Sequence, residues 1–415
     1  MNRKKKFKVV TLGCRTNQYE SQAYQDQLLT LGYSEAKEAE EVDLCIVNTC
    51  TVTESADSSS RYQIRHLHRK YPKAKIVVTG CLVESAKGAL QGIDGIDCVV
   101  ANKDKENLLS YVFPEQEMPE FKICQFEAHT RAFVKVQDGC NSFCTYCIIP
   151  YVRGRSRSRD LAEILREIKG LIANGYKEIV LTGVNIGDFE STENIRLAGL
   201  VRQVDAIEGI QRLRISSIDP DEVDEDLADA ILHSKHTCPS IHIVLQSGSN
   251  TILKRMNRKY TREIFLETID RLRNANPNFT FTTDVIVGFP GESELDFQDT
   301  LTVMDYVRFA KVHMFPYSPR PRTRAALYPN RIDPAVMNMR KQQVLRLAEE
   351  HAYFLREKYV GSILPVLIEK AEGTSSGHTE NFLQVISQDK GLRSNDLIEM
   401  QLYENTPEGL LGRIV

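Results

Sequence analysis

At 415 residues the chain is too long for one ordinary hydrophobic core, and about 150 residues per domain points to two or three domains. With 42% hydrophobic and 26% charged residues and no low-complexity tract, the composition is that of a globular protein and does not indicate disorder. A net charge of -3 excludes a molecule that is basic all over, so any nucleic-acid site must be local.

The N-terminal Met1-Asn-Arg-Lys-Lys-Lys-Phe7 runs straight into a strand-like stretch and carries neither the apolar core nor the cleavage site of a signal peptide. No apolar run of about 18 residues is present to cross a membrane. The expectation is a cytoplasmic protein with no membrane association. In that reducing compartment, ten cysteines point to metal ligation or catalysis rather than disulfides.

From Phe7 to Phe113, β-like runs at Phe7 to Leu12, Leu44 to Asn48, Ile76 to Thr79 and Cys98 to Ala101 alternate with helix-like stretches. Those helices are expected at Glu20 to Leu31, Glu54 to Lys70 and Asp104 to Val112, which makes a small parallel α/β domain. The polar stretch Pro114 to His129 breaks the rhythm and reads as a linker. Six further strands are expected at Ala132 to Val136, Glu178 to Thr182, Arg212 to Ser216, Ile241 to Leu245, Thr280 to Val287 and Ala310 to Phe315. Amphipathic stretches separate them, so this part reads as six βα units forming an incomplete barrel. A helix over Pro334 to Lys358 follows. After Gly361, strand-like runs at Ile363 to Glu369, Asn381 to Ile386, Asp396 to Leu402 and Leu410 to Val415 read as a small β-barrel or sandwich. The expected fold class is therefore α/β: an N-terminal parallel α/β domain over 1–115, a partial (βα)6 barrel over 130–350 and a small β domain over 355–415.

The chemistry concentrates in Cys140-Asn-Ser-Phe-Cys144-Thr-Tyr-Cys147, which directly follows the first barrel strand, where a βα loop opens at the carboxyl mouth of the sheet. Structural zinc wants four ligands, commonly in CxxC pairs, whereas this run offers three thiolates and no nearby histidine. Three ligands on a 4Fe-4S cluster leave one iron open to a small molecule, so an iron-sulfur site is the better reading. A second trio is dispersed. Cys14 follows Lys8-Val-Val-Thr-Leu-Gly13, Cys50 follows Asp43-Leu-Cys-Ile-Val-Asn-Thr49, and Cys81 follows Ala74-Lys-Ile-Val-Val-Thr-Gly80. Each ends a strand, and in a parallel sheet those ends share one edge. The residues alone leave open whether the three thiols share a ligand. Cys45, inside a strand, reads as a buried structural thiol.

The CxxxCxxC run, with Tyr146 before its third cysteine, resembles the radical S-adenosylmethionine (radical-SAM) signature. Both trios together resemble the radical-SAM methylthiotransferase family over essentially the whole chain, its C-terminal β-barrel being the TRAM domain. The segment Thr11-Leu-Gly-Cys14-Arg-Thr-Asn-Gln-Tyr-Glu-Ser21 is more similar to the threonylcarbamoyladenosine tRNA methylthiotransferases than to the isopentenyladenosine enzymes (Cys-Gln-Met-Asn) or the ribosomal-protein modifiers (Cys-Pro-Lys-Asn). The resemblance implies two 4Fe-4S clusters, on Cys14, Cys50 and Cys81 and on Cys140, Cys144 and Cys147. It further implies reductive cleavage of S-adenosylmethionine to methionine and a 5'-deoxyadenosyl radical at the second cluster. An auxiliary cluster would present a methylated sulfur to carbon 2 of N6-threonylcarbamoyladenosine beside the anticodon. That carbon-hydrogen bond has no useful acidity, so general-base catalysis cannot activate it and radical abstraction fits.

Within that resemblance Tyr146 borders the adenine. Leu181-Thr182-Gly183-Val-Asn185-Ile-Gly-Asp188 looks like the segment receiving the methionyl amine, and Asp284-Val-Ile-Val-Gly288-Phe-Pro-Gly-Glu292 like the adenine-side loop. Ser216 and Gln246, at other strand ends, are expected to line the cavity. Taken alone, each of these glycine-bearing motifs is also what a tight βα turn requires.

Partners implied are tRNA and an electron donor such as a flavodoxin or ferredoxin; oligomeric state is silent. Arg153, Arg155, Arg157 and Arg159 alternate, as do Arg320, Arg322 and Arg324. In extended chain each set shares one face that suits phosphates, the alternative being solvated loops or internal salt bridges. The C-terminal domain, with four Lys/Arg against eight Asp/Glu from Gly361 onward, is acidic for an RNA-binding module. Methylthiolation of a ribosomal-protein aspartate and a non-enzymatic electron carrier are the competing functions. The large barrel and its ligand loops speak against the carrier.

Overall fold

The structure is a computed structural model and describes residues 3–85, 88, 90–124 and 130–415. It divides into two compact units: Met1–Phe126 with Gln137–Arg157 and Ser318–Leu327, and Glu127–Val136 with Ser158–Tyr317 and Tyr328–Val415.

The first unit is built on five parallel strands, β1 (Lys6–Thr11), β2 (Ser34–Glu35), β3 (Leu44–Thr49), β4 (Lys75–Gly80) and β5 (Cys98–Val99), in the order β2-β1-β3-β4-β5. Period-2 alternation sends Phe7, Ile46 and Val77 to a core with Tyr24, Leu28 and Leu108. The intervening Cys45, Val47, Ile76 and Val78 pack on the other face against Ile64 and Leu67. Both faces are covered, as a parallel sheet requires. Cys45 lies fully in the apolar interior, where burial pushes its thiol up to about 12, so it is structural as read. Register pairs Thr11 with Asn48, Asn48 with Thr79, and Thr49 with Gly80, so β1, β3 and β4 finish level.

The first helix, expected from Glu20, begins at Arg15 directly after Cys14. Its opening turns carry no apolar period because Thr16, Asn17, Glu20, Ser21 and Gln22 are polar yet buried. The expected linker also does more than connect: Met118 and Phe121 pack on the core, with Phe121 5.4 Å from the ring of Tyr24. Its residues 125–129 lie outside the described residues.

In the second unit six parallel strands, Arg131–Lys135, Glu178–Thr182, Arg212–Ile215, Ser240–His242, Thr280–Val287 and Lys311–Pro316, lie side by side in chain order. Helices follow the strands, several opened by a side-chain cap such as Asp160, Thr261 or Ser293. This is the partial βα barrel expected. The helix Pro334–Glu357 leads to a closed five-stranded barrel in the order Ile363–Lys370, Ser375–Thr379, Gln384–Ser387, Leu410–Ile414, Leu397–Asn405. Its second strand went unread because Ser375-Ser-Gly-His-Thr379 has no apolar alternation. Among the described residues no helix is long and apolar enough to cross a membrane.

Candidate active site

The level ends of β1, β3 and β4 gather the first cysteine trio. Cys14 caps the helix Arg15–Thr30 and is exposed, Cys50 is buried just past β3, and Cys81 opens the helix Cys81–Ser85 and is buried. Two glycines make the approach possible. Gly13 adopts φ +95° and a Cβ there would sit 2.8 Å from both Cβ and Sγ of Cys50; Gly80 adopts φ +96° and a Cβ there would sit 2.5 Å from the Thr49 carbonyl oxygen. Only glycine fits such positions cheaply. Asn17 closes the floor, its Nδ2 donating to the carbonyls of Leu12 at 2.7 Å and Thr49 at 3.1 Å, with the Cys14 Sγ 3.7 Å from its Oδ1.

Burial raises the Cys50 thiol, and it raises Cys81 to about 12, with Arg153 pulling back and the two fellow cysteines pushing further up. Cys14 thus acts on both buried thiols, and Cys50 on Cys81. A metal or a nearby cation favours the thiolate of such buried cysteines, and none of the three is in a disulfide. Among the described residues no three His, Cys, Asp or Glu side chains are gathered closely enough for a single metal ion. Three soft, separated donors suit a multi-iron cluster better than one ion.

Beside the trio lies a buried ion network. Lys105 Nζ reaches Glu20 at 2.6 Å and Asp138 at 2.7 Å, and Arg153 Nη1 reaches the same carboxylates at 3.1 and 2.8 Å. Arg153 Nη2 also donates to Asn17 Oδ1. All four charged side chains are under 5% exposed. Sequence reasoning missed Glu20, Lys105 and Asp138 because nothing local marks a charge as buried.

It also misread Arg153, grouped with the alternating arginines. The four do not share a face: Arg153 is fully buried, Arg157 bonds to Asp138 at 3.0 Å, Arg159 to Glu167 at 2.7 Å, and Arg155 lies exposed over the Phe143 ring at 4.3 Å. The second run splits likewise. Arg320 is buried and bonded to Thr51 and Asp57, while Arg322 sits over the Tyr151 ring at 5.0 Å. Carboxylates captured Arg153, Arg157, Arg159 and Arg320, while Arg155 and Arg322 stay exposed over aromatic rings, so neither run forms a single extended face.

The second trio lies on a tied-down loop of the same unit. Cys144 is buried, and Cys140, Tyr146 and Cys147 are half-buried. Cys140 N–H donates to the Gly154 carbonyl at 3.1 Å, Cys147 N–H to that of Cys144 at 3.0 Å, and Ala325 N–H to that of Thr145 at 2.8 Å. Ser142 N–H points at the Cys140 sulfur at 3.4 Å, the kind of contact that tunes a thiolate ligand. Cys81 shares an apolar cluster with Ile148 and Val152, which follow this loop.

The remaining expected site residues belong to the second unit. Thr182, Ser216 and Gln246 are buried at strand ends, and Gly183 is half-buried beside them. Ser216 N–H donates to Leu181 at 3.0 Å and Gln246 N–H to Asp284 at 2.8 Å, so neighbouring strands hold them in pairs. Ser216 Oγ and Gln246 Oε1 are buried with no partner among the described residues, and Gln246 is held at φ +60°. Such unsatisfied atoms fit a polar ligand. Asn185 instead donates to Glu222 Oε1 at 2.8 Å, Asp284 faces His242 at 3.4 Å, and Gly288 N–H donates to Glu292 at 2.8 Å. Glu222 was not foreseen; burial first, then Asp219, raises its carboxyl to about 7.

Two family models match the chain: the Radical SAM superfamily over residues 134–304 and "Uncharacterized protein family UPF0004" over residues 6–101. The threonylcarbamoyladenosine tRNA methylthiotransferase MtaB of Chlamydia pneumoniae is 51% identical over 413 residues, 99% of this chain and 98% of the relative. A tRNA-2-methylthio-N(6)-dimethylallyladenosine synthase of Alkaliphilus oremlandii is 35% identical, covering 99% of this chain and 93% of its own. Among solved structures, the radical S-adenosylmethionine methyltransferase TsrM of Kitasatospora setae, with cobalamin and a [4Fe-4S] cluster bound, shares the fold at a TM-score of 0.58 and 15% identity, over 79% of this chain and 77% of that one.

Proposed function

The chain belongs to the tRNA methylthiotransferases of the radical-SAM family, a family of transferases working with S-adenosylmethionine and 4Fe-4S clusters, and within it we propose that the substrate is N6-threonylcarbamoyladenosine next to the anticodon, methylthiolated at carbon 2. What carries this choice is the 51% identity over nearly the whole chain to a protein named for that substrate, against 35% to the dimethylallyladenosine enzyme. The Cys14-Arg-Thr-Asn17 segment supports it.

Cys14, Cys50 and Cys81 would hold the auxiliary cluster, and Cys140, Cys144 and Cys147 the cluster at which S-adenosylmethionine is cleaved. When bound, these clusters with S-adenosylmethionine supply a sulfur donor and a carbon radical able to take the hydrogen from carbon 2. The protein's part is placement. Gly13 and Gly80 let the first trio close up, and Ser142 N–H steadies Cys140. Tyr146, Thr182, Gly183, Asn185, Ser216, Gln246, Asp284 and Gly288 receive S-adenosylmethionine; Ser216 Oγ and Gln246 Oε1 offer buried polar atoms that a ligand would satisfy. The enzyme works in the cytoplasm, on tRNA, fed by a flavodoxin or ferredoxin.

Mass analysis of tRNA nucleosides from a strain lacking the gene tests the substrate: 2-methylthio-N6-threonylcarbamoyladenosine should vanish, and its unchanged level would sink the proposal. In purified protein, Cys144→Ala should abolish S-adenosylmethionine cleavage, whereas Cys50→Ala should still cleave it without transferring sulfur.

A further inference from the structure

Arg153 lies only six residues beyond Cys147, yet it is buried with Asn17 and Glu20 from the helix that Cys14 caps. Its guanidinium shares Asn17 Oδ1 with the Cys14 sulfur. The residue before it, Val152, packs against Cys81, and its carbonyl accepts from Asn102 Nδ2 at 2.7 Å. Arg153 Nε is buried with no acceptor among the described residues. A permanently charged group thus sits against the first trio, in a dry interior where a unit charge is poorly screened. Burial works against that charge, but Glu20 and Asp138 outweigh it and keep the guanidinium ionised.

We propose that Arg153 is a positioning residue that sets the electrostatic potential at the auxiliary cluster, and with it that cluster's reduction potential, while fastening the radical-cluster loop to the auxiliary cradle. The proposal rests on the assignment of Cys14, Cys50 and Cys81 as cluster ligands. Iron-sulfur potentials respond to nearby charge and hydrogen bonding, so the cation makes reduction easier and its counter-ion Glu20 moderates the effect. The two residues therefore push the potential in opposite directions, which a purely architectural role would not do.

The test uses full-length protein carrying Cys140→Ala, Cys144→Ala and Cys147→Ala, so that any cluster present is the auxiliary one, followed by spin resonance during an anaerobic redox titration. Arg153→Gln should move the midpoint to more negative values, Arg153→Lys should move it less, and Glu20→Gln should move it to more positive values. Retained cluster with an unmoved midpoint in Arg153→Gln, or shifts of the same sign in Arg153→Gln and Glu20→Gln, overturns the proposal. If Arg153→Gln holds no cluster, Glu20→Gln decides: a midpoint that does not rise overturns it. A triple-cysteine background that binds no iron overturns the auxiliary-cluster assignment and this proposal together.

Discussion

In the first unit two cations, Lys105 and Arg153, face two carboxylates, Glu20 and Asp138, and the four charges balance inside the protein. In the second unit three arginines crowd one strand-end carboxylate. Glu178 lies 2.7 Å from Arg214 Nε and 3.8 Å from both Arg131 and Arg212. The excess positive charge is met by the C-terminal barrel: Arg212 donates to the carbonyls of His378 at 3.0 Å and Pro365 at 2.6 Å, Arg214 to those of Glu380 and Thr379 at 2.8 and 2.9 Å, and Arg131 pairs with Glu369 at 2.9 Å. Phe382 lies under Arg131 and Arg214. Taking charges out of water is costly in both places. The first cluster closes within one unit beside the first cysteine trio, whereas the second makes the parallel barrel dependent on a segment more than 150 residues away. The acidic C-terminal domain is accordingly a seat for buried arginines, whatever else it binds.

The sharpest way to break this contrast is truncation after Gly361. It strips four carbonyl acceptors from two buried guanidiniums, each such bond being worth about 1.5–3 kcal/mol, and exposes apolar surface as well. Loss of the cooperative thermal transition is expected; a soluble fragment melting like the full chain would refute the dependence.

A smaller effect should follow from Glu178→Gln, which leaves Arg131 with Glu369 and Arg212 and Arg214 with backbone carbonyls. Breaking a buried pair in this way costs about 3–5 kcal/mol, read as a lowered denaturation midpoint in urea. A change under about 1 kcal/mol would mean that the carbonyls alone suffice.

The smallest is a pH effect at Glu369. Burial opposes its charge, but the His378 hydrogen bond and Arg131 prevail and hold its carboxyl at about 2. A folded-state value below the unfolded one, about 4.3, gives stability that is full above the unfolded value and lost as pH falls toward 2. Cluster-free protein should therefore lose melting temperature over that window, and Glu369→Gln should flatten the loss. An identical acid slope in the variant would show that another carboxylate governs it.

The CxxxCxxC run and the parallel α/β rhythm were legible because both are local: three cysteines lie within eight residues, and apolar runs recur with the period of strands. The dispersed trio was legible one step further, since a parallel sheet levels its strand ends. The fates of Arg153 and Arg320, drawn as part of surface rows, were not. An arginine reads the same in sequence whether it faces phosphate, solvent or a buried carboxylate. Nor could the Arg212 and Arg214 partners be read, because backbone carbonyls carry no sequence signature. What the sequence by itself determined is which thiols exist and at which strand ends. The tertiary structure alone decided which charges surround them, because burial and ion pairing depend on residues that only folding brings together.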